Sequence, residues 1–243
     1  MTARWTTWWL AAAMLIATGA TARETPPPAP QWIASWGSAQ MIPEGENRLP
    51  EDADRNITLR QIVRLSAGGE RLRVRLSNRF GDRPLSIGGA HVSHASRPGT
   101  PRIAGGTALT FAGRPDAVIP AGAELYSDPV ALAVVPGADL AVSLYLPEAP
   151  EPQTGHPGAR ATSFLAAGDH VADSDLPAAR TTTRWYNLAD VEVAAGPGAA
   201  TVVAIGDSIT DGYGVPPERN SRWPDVLAER LRARPSTRAV GVV

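Results

Sequence analysis

Between residues 31 and 195 apolar and polar side chains alternate over many short stretches. Leu72-Arg73-Val74-Arg75-Leu76 and the series Leu140, Val142, Leu144, Leu146 keep a period of two. That period turns one face of a strand toward a core and the other toward water. Further apolar stretches at 57–65, 85–92, 109–111, 130–135 and 185–193 are also of strand length. Gly68-Gly69, Gly88-Gly89, Pro98-Gly99 and Pro136-Gly137 separate them with residues that favour turns. No amphipathic helix shows in this part. The pattern predicts an antiparallel β-sandwich domain over residues 31–197.

The pattern changes at Gly196-Pro197-Gly198. Ala199 to Ile205 run apolar without alternation, which predicts a parallel strand buried on both faces. After a glycine-containing turn, Trp223, Val226, Leu227 and Leu231 recur at helical spacing, and a helix is expected over Pro224 to Leu231. Pro224 suits a first turn, and Asn220 or Ser221 is the expected cap. Arg230, Arg232 and Arg234 complement the negative end of the helix dipole. Ala239 to Val243 begins another apolar run. Strand, turn, helix and strand over residues 198–243 predict a single βαβ unit, the opening of an α/β sheet.

Ahead of the strands, Arg4 precedes an apolar run from Trp8 to Ala17, followed by Ala20-Thr21-Ala22. This is the layout of a signal peptide over residues 1–22, cleaved after Ala22 and leading to a secreted or periplasmic protein. The run is well short of the ~20 apolar residues of a spanning helix, so no stable membrane span is expected after cleavage. Residues 23–30, with three consecutive prolines, read as a linker. The formal net charge of −1 gives no electrostatic reason to expect nucleic acid as a partner. Cysteine is absent, which excludes disulfides and thiolate chemistry, and all the basic residues are arginine. Oligomeric state is left open.

The candidate chemistry sits between the apolar run and the helix, in Gly206-Asp207-Ser208-Ile209-Thr210-Asp211-Gly212. A nucleophilic hydroxyl needs exposure, an oxyanion donor and a base. A serine leaving the carboxyl end of a parallel strand has the first, and its own N–H can serve as the second. Gly206 permits a sharp turn, Asp207 and Asp211 can fix the loop through backbone bonds, and Gly212 and Gly214 keep the approach open. The plainer alternative is a turn serine that caps a helix. A phosphate cradle does not fit: the glycines lack G-x-G-x-x-G spacing and there is no lysine for a P-loop.

The segment Val203 to Gly212 resembles the first motif block of the SGNH, or GDSL-type, hydrolases. Asn220 to Ala228 is similar to the segment that follows that block in extracellular bacterial carbohydrate esterases and lipases. Leu59 to Arg64 and Val74 to Gly81 resemble that subgroup's β-rich amino-terminal region. The resemblance implies a flavodoxin-like catalytic sheet with Ser208 as nucleophile and its N–H in the oxyanion hole. Asp207 is then a loop-orienting residue. The implied reaction is ester hydrolysis without metal or cofactor, on an ester substrate such as an acetylated polysaccharide. It also implies three later motif blocks, which carry an oxyanion glycine, an oxyanion asparagine and a closing Asp-x-x-His, and none of these blocks is found after Ser208 here. The expectation is therefore a catalytic domain cut after its first βαβ unit and a chain with little activity alone.

Other chemistry-bearing residues are read more plainly. His91, His94, His156 and His170 all precede Ser208 and are expected to be surface or loop histidines. His156 sits in a threonine-and-histidine stretch similar to one in the same family. Trp32, Trp36, Trp185 and Tyr186 are either core or stacking platforms for sugars. The second option carries the alternative reading, a non-catalytic carbohydrate-binding β-sandwich. Arg71, Arg73 and Arg75 are expected to form a solvated strand face. Asn56-Ile57-Thr58 matches a glycosylation acceptor pattern.

Overall fold

The computed structural model describes residues 30–50, 53, 55–149 and 151–243. The expected signal peptide, and the linker except Pro30, lie outside the described residues. The first strands are β1 (Gln31–Gly37), β2 (Arg55–Arg64), β3 (Leu72–Ser77), β4 (Leu85–Ile87) and β5 (Gly89–Ala95). Then come β6 (Ile103–Ala108), β7 (Ala117–Ile119), β8 (Glu124–Tyr126), β9 (Asp139–Glu148) and β10 (Gly155–His156). The last are β11 (Ser163–Ala167), β12 (Arg180–Thr182), β13 (Trp185–Tyr186), β14 (Leu188–Ala195), β15 (Ala200–Val202) and β16 (Val240–Val242). One α-helix, α1 (Trp223–Arg232), lies between β15 and β16.

The β-rich region holds a four-stranded sheet ordered β1-β14-β3-β8 and a six-stranded sheet ordered β12-β11-β2-β9-β5-β6. All their pairings are antiparallel. Ile33, Val74, Leu76, Val191 and Val193 of the first sheet share one core with Ile57, Leu59, Leu144 and Leu146 of the second. The alternation read from the sequence is what makes this possible. In β3, Leu72, Val74 and Leu76 are fully buried while Arg73 and Arg75 turn outward.

Several expected strands differ in extent. The 85–92 stretch is two strands, because the chain breaks pairing at Gly88, where a side chain would collide with Tyr145. Residues 109–111 and 130–135 form isolated bridges rather than strands. Leu109 and Val134 are nonetheless buried, so the apolar pattern marked core positions correctly and strand geometry wrongly. The segment Ile103–Ala108, glycine-containing and mostly exposed, is a strand that apolar periodicity does not reveal.

The carboxy-terminal part is a parallel pair, β15 and β16, joined through α1. It packs on the β-rich region through β1. The Thr201 hydroxyl donates to the Ala34 carbonyl (2.8 Å), and the Val242 N–H donates to Ser66 Oγ (2.9 Å). The expectation of a strand buried on both faces fails. Regular pairing spans three residues, and Val203 and Ile205 are 63% and 91% exposed. β15 is paired with β16 and lies against β1, and its Ala200 and Val202 are exposed. The helix starts one residue earlier than expected, and neither Asn220 nor Ser221 caps it. Instead the Arg222 N–H donates to Asp225 Oδ2 (2.9 Å), an acidic side chain reaching back from the first turn. Of the apolar face read from the sequence, Trp223 is exposed, and Ala228 is the buried residue of α1.

Candidate active site

Beyond β15 the Ala204 N–H donates to the Val243 carbonyl (2.6 Å). The chain then folds into a compact turn. Asp207 Oδ1 accepts the Ile209 N–H (3.1 Å), the Asp207 carbonyl accepts the Asp211 N–H (3.0 Å), and the Ser208 carbonyl accepts the Tyr213 N–H (2.7 Å). Ser208 lies exposed on this turn. Its N–H and hydroxyl make no hydrogen bond among the described residues, so both are available to a ligand.

The glycines act differently from the expectation. Gly206 needs no unusual backbone angle; a Cβ there would overlap the Thr210 side chain. Gly212 has φ +87° and is buried, with the stem of Arg222 packed where a Cβ would lie. It closes the turn under Arg222 rather than keeping an approach open.

The β-rich region presents residues 155–162 to this turn. Gly155 is fixed by reciprocal backbone bonds with Met41 (2.8 and 3.0 Å), and Gly155–His156 pairs with Trp185–Tyr186. His156 is thereby laid on the Trp185 indole, with ring centroids 5.8 Å apart at 26°. Its Nδ1 donates to the Ala39 carbonyl and its Nε2 to Asp211 Oδ1, each at 2.7 Å. Both ring nitrogens are thus engaged. Arg222 is the second link. Its Nε donates to the Asp211 carbonyl (2.9 Å), and its Nη2 reaches the carbonyls of Gly158 (3.3 Å) and Ala159 (2.5 Å). A third link runs through Glu218, whose Oε1 accepts the N–H and hydroxyl of Thr162, both at 2.6 Å.

Between the turn and the β-rich region lies an open cavity of about 740 Å³, lined among others by Ser208, Asp207, His156, Trp36 and Arg64. That volume is within the range of small-molecule sites. Arg64 holds Asp139 through two bonds, Nε to Oδ1 at 2.8 Å and Nη2 to Oδ2 at 3.0 Å. Burial pushes the Asp139 carboxyl up, against the pull of Arg64. Asp190, also in the lining, is pushed up to about 6, chiefly by burial, with Arg75 working in the other direction.

Residues 202–241 match the GDSL-like Lipase/Acylhydrolase family. The matched GDSL-like segment contains the whole Ser208 turn and α1, and it supports a hydrolase family for the chain. A comparison with curated proteins found no match.

The structure separates the remaining candidates. His91 is buried, with burial and nearby Arg60 holding its imidazole below the usual histidine range, and His170 pairs with Asp173 at 2.8 Å. Neither reaches the GDSL-like turn by a hydrogen bond. His94 is half-buried on β5. No group of three or more metal-binding side chains occurs among the described residues. Trp36, Trp185 and Tyr186 are 8%, 5% and 1% exposed, so they are core rather than exposed sugar platforms. Trp36 and Trp185 meet edge to face at 4.9 Å. Trp32 is covered by the Arg73 guanidinium, 4.7 Å from its ring. Arg73 and Arg75 are not simply solvated: they pair with Glu192 and with Glu124 and Asp190. Among the described residues no helix is long and apolar enough to cross a membrane. Sequence reasoning gave no role to Arg222 and none to His156. The only linear signal was the Thr154-Gly155-His156 stretch itself.

Proposed function

We propose that this chain carries the nucleophile site of an exported serine ester hydrolase of the GDSL type. In this reading a β-sandwich domain spans residues 31–197, and residues 198–243 form the first unit of a flavodoxin-like hydrolase domain. Ser208 Oγ attacks the ester carbonyl as its proton passes to water, the Ser208 N–H donates to the oxyanion that develops, and collapse breaks the ester C–O bond, releasing the alcohol and leaving an acyl-serine that water hydrolyses. Asp207 holds the turn through the Ile209 N–H. The substrate class is an ester small enough for the cavity, an acetylated sugar being the favoured form, since Arg64, Asp139 and His156 line a polar wall. Export with cleavage after Ala22 belongs to the same reading.

One observation carries it: Ser208, exposed and with its N–H and hydroxyl unbonded, on the turn that follows the carboxyl end of the parallel strand β15, inside the GDSL-like segment. His156 is no base for Ser208 in this arrangement, because both its ring nitrogens are engaged. Turnover by these 243 residues is therefore expected to be low, and a covalent label is the better test. A fluorophosphonate, incubated for hours because no base activates the hydroxyl, should slowly modify the chain on Ser208, mapped by mass spectrometry, and Ser208→Ala should remain unlabelled. Equal labelling of the two proteins, or a label on another serine, would refute the assignment.

A further inference from the structure

We infer that His156 and Arg222 are positioning residues for the Ser208 turn, and that the β-rich region is thereby a working part of the site. The inference rests on the reading of Ser208 as nucleophile, but its geometry stands on its own. Asp211 is gripped twice: His156 Nε2 holds the carboxylate at 2.7 Å, and Arg222 Nε holds the backbone carbonyl at 2.9 Å. Asp211 is three residues from Ser208 and shares its turn, because the Asp211 N–H donates to the Asp207 carbonyl. A grip on Asp211 therefore fixes the ring of backbone bonds that orients Ser208.

The grip is built from the β-rich side. His156 has no freedom to turn away: Nδ1 is tied to Ala39, one ring face lies on Trp185, and the side chain is 12% exposed. Gly158 completes the seat, since a Cβ there would fall on the Asp211 carboxylate. Arg222 extends from the N-terminus of α1, spans the turn and ends on the Gly158 and Ala159 carbonyls. Its guanidinium also lies 5.9 Å from the Trp185 ring. Both positioning residues therefore converge on the same indole. A charge-assisted bond of this kind is stronger than a neutral one, and two on one residue hold a seven-residue turn that has little apolar packing of its own. Ile209 in the turn and Tyr213 directly after it are 74% and 79% exposed.

A mere adhesive contact between the two regions would behave differently. Its loss would loosen all of residues 200–243, whereas loss of a positioning contact loosens the turn alone. Amide hydrogen exchange of the full chain distinguishes the two. His156→Ala is expected to speed exchange of the Asp211, Gly212 and Tyr213 amides about tenfold, the scale of one charge-assisted bond. Amides of α1 and of β2 and β9 should be unchanged. Asp211→Ala should reproduce this from the loop side, where the half-exposed residue places no demand on core folding, and it carries the test if His156→Ala does not fold. Asp211→Asn, which keeps an acceptor oxygen for His156, should restore most of the protection. Unchanged exchange in the turn, loss spread through α1 and β16, or an Asn variant as loose as the Ala variant would overturn the inference. Fluorophosphonate labelling fails or succeeds separately, so an inert Ser208 and an unpositioned turn give different results.

Discussion

Arg60 has no exposed surface, yet carries a charge into the space beside the six-stranded sheet. Its Nε donates to Ser143 Oγ at 2.9 Å, Nη1 to the Pro101 carbonyl at 2.6 Å, and Nη2 to the carbonyls of His170, Val171 and Asp173 at 3.1, 3.3 and 2.8 Å. Burial pulls its pKa down, and Asp173 and Asp175 pull it back up. One side chain thus satisfies carbonyls from two loops that have no sheet partners. Arg60→Met keeps the stem but orphans these acceptors. The expected cost is ~3–5 kcal/mol, the scale for breaking a buried charged network, measured by urea unfolding at pH 7. A loss under about 1 kcal/mol would mean that water replaces the guanidinium without difficulty. Asp190 is the second residue whose burial has a measurable consequence. Its carboxyl titrates at about 6 in the folded protein, above the ~3.9 of an unfolded aspartate. The folded state therefore holds the proton more tightly, and stability from this group is lost as pH rises from about 4 through about 6. Relative to the wild type, Asp190→Asn should gain stability across that window by on the order of 1–3 kcal/mol, read as the difference in urea midpoints at pH 4 and 7.5. A difference that does not change with pH would show that Asp190 is ionised throughout.

At the scale of elements, the two parts of the chain are held to very different degrees. β2 and β9 pair over nine register positions, and residues 57–63 of β2 and 140–144 of β9 are buried without a break. β15 and β16 pair over three positions, α1 buries Ala228, and Val202, Val203 and Ile205 face outward. Local opening follows such differences in packing. Limited trypsin digestion should therefore cut first at Arg219, Arg230, Arg232 or Arg238, leaving a fragment that contains β1 to β14. Early cleavage within β2, β3 or β9 would contradict this ordering. The α1 cap shows how an element boundary escapes sequence reading. Asn220 and Ser221 are both good capping types, yet Asp225 satisfies the Arg222 N–H. The chain before the helix is committed elsewhere, with the Arg222 side chain on Asp211 and Glu218 bonded to Thr162.

For the whole molecule, the arrangement of two antiparallel sheets around one core and a parallel unit beside them follows from patterns that are local in the sequence. Period two needs only neighbours, so Leu72 to Leu76 and Leu140 to Leu146 announce their strands and their buried faces. The change at Gly196-Pro197-Gly198, the helix and the Ser208 turn are likewise local, and the turn's sequence alone points to the hydrolase family. Contacts between distant positions leave no such mark. His156 and Asp211 are 55 residues apart, and nothing in Gly155-His156-Pro157 says that its ring will rest on Trp185 and reach the GDSL-like turn. The same holds for Arg60 and its carbonyls, and for Asp190, whose raised pKa depends on what buries it. The sequence determined the long strands β2, β3, β9 and β14 and the place of the GDSL-like turn, because those depend on side-chain periodicity and on backbone rules within a few residues. Only the tertiary structure decided that the β-rich region grips that turn, because the grip is made by charges and hydrogen bonds brought together by packing.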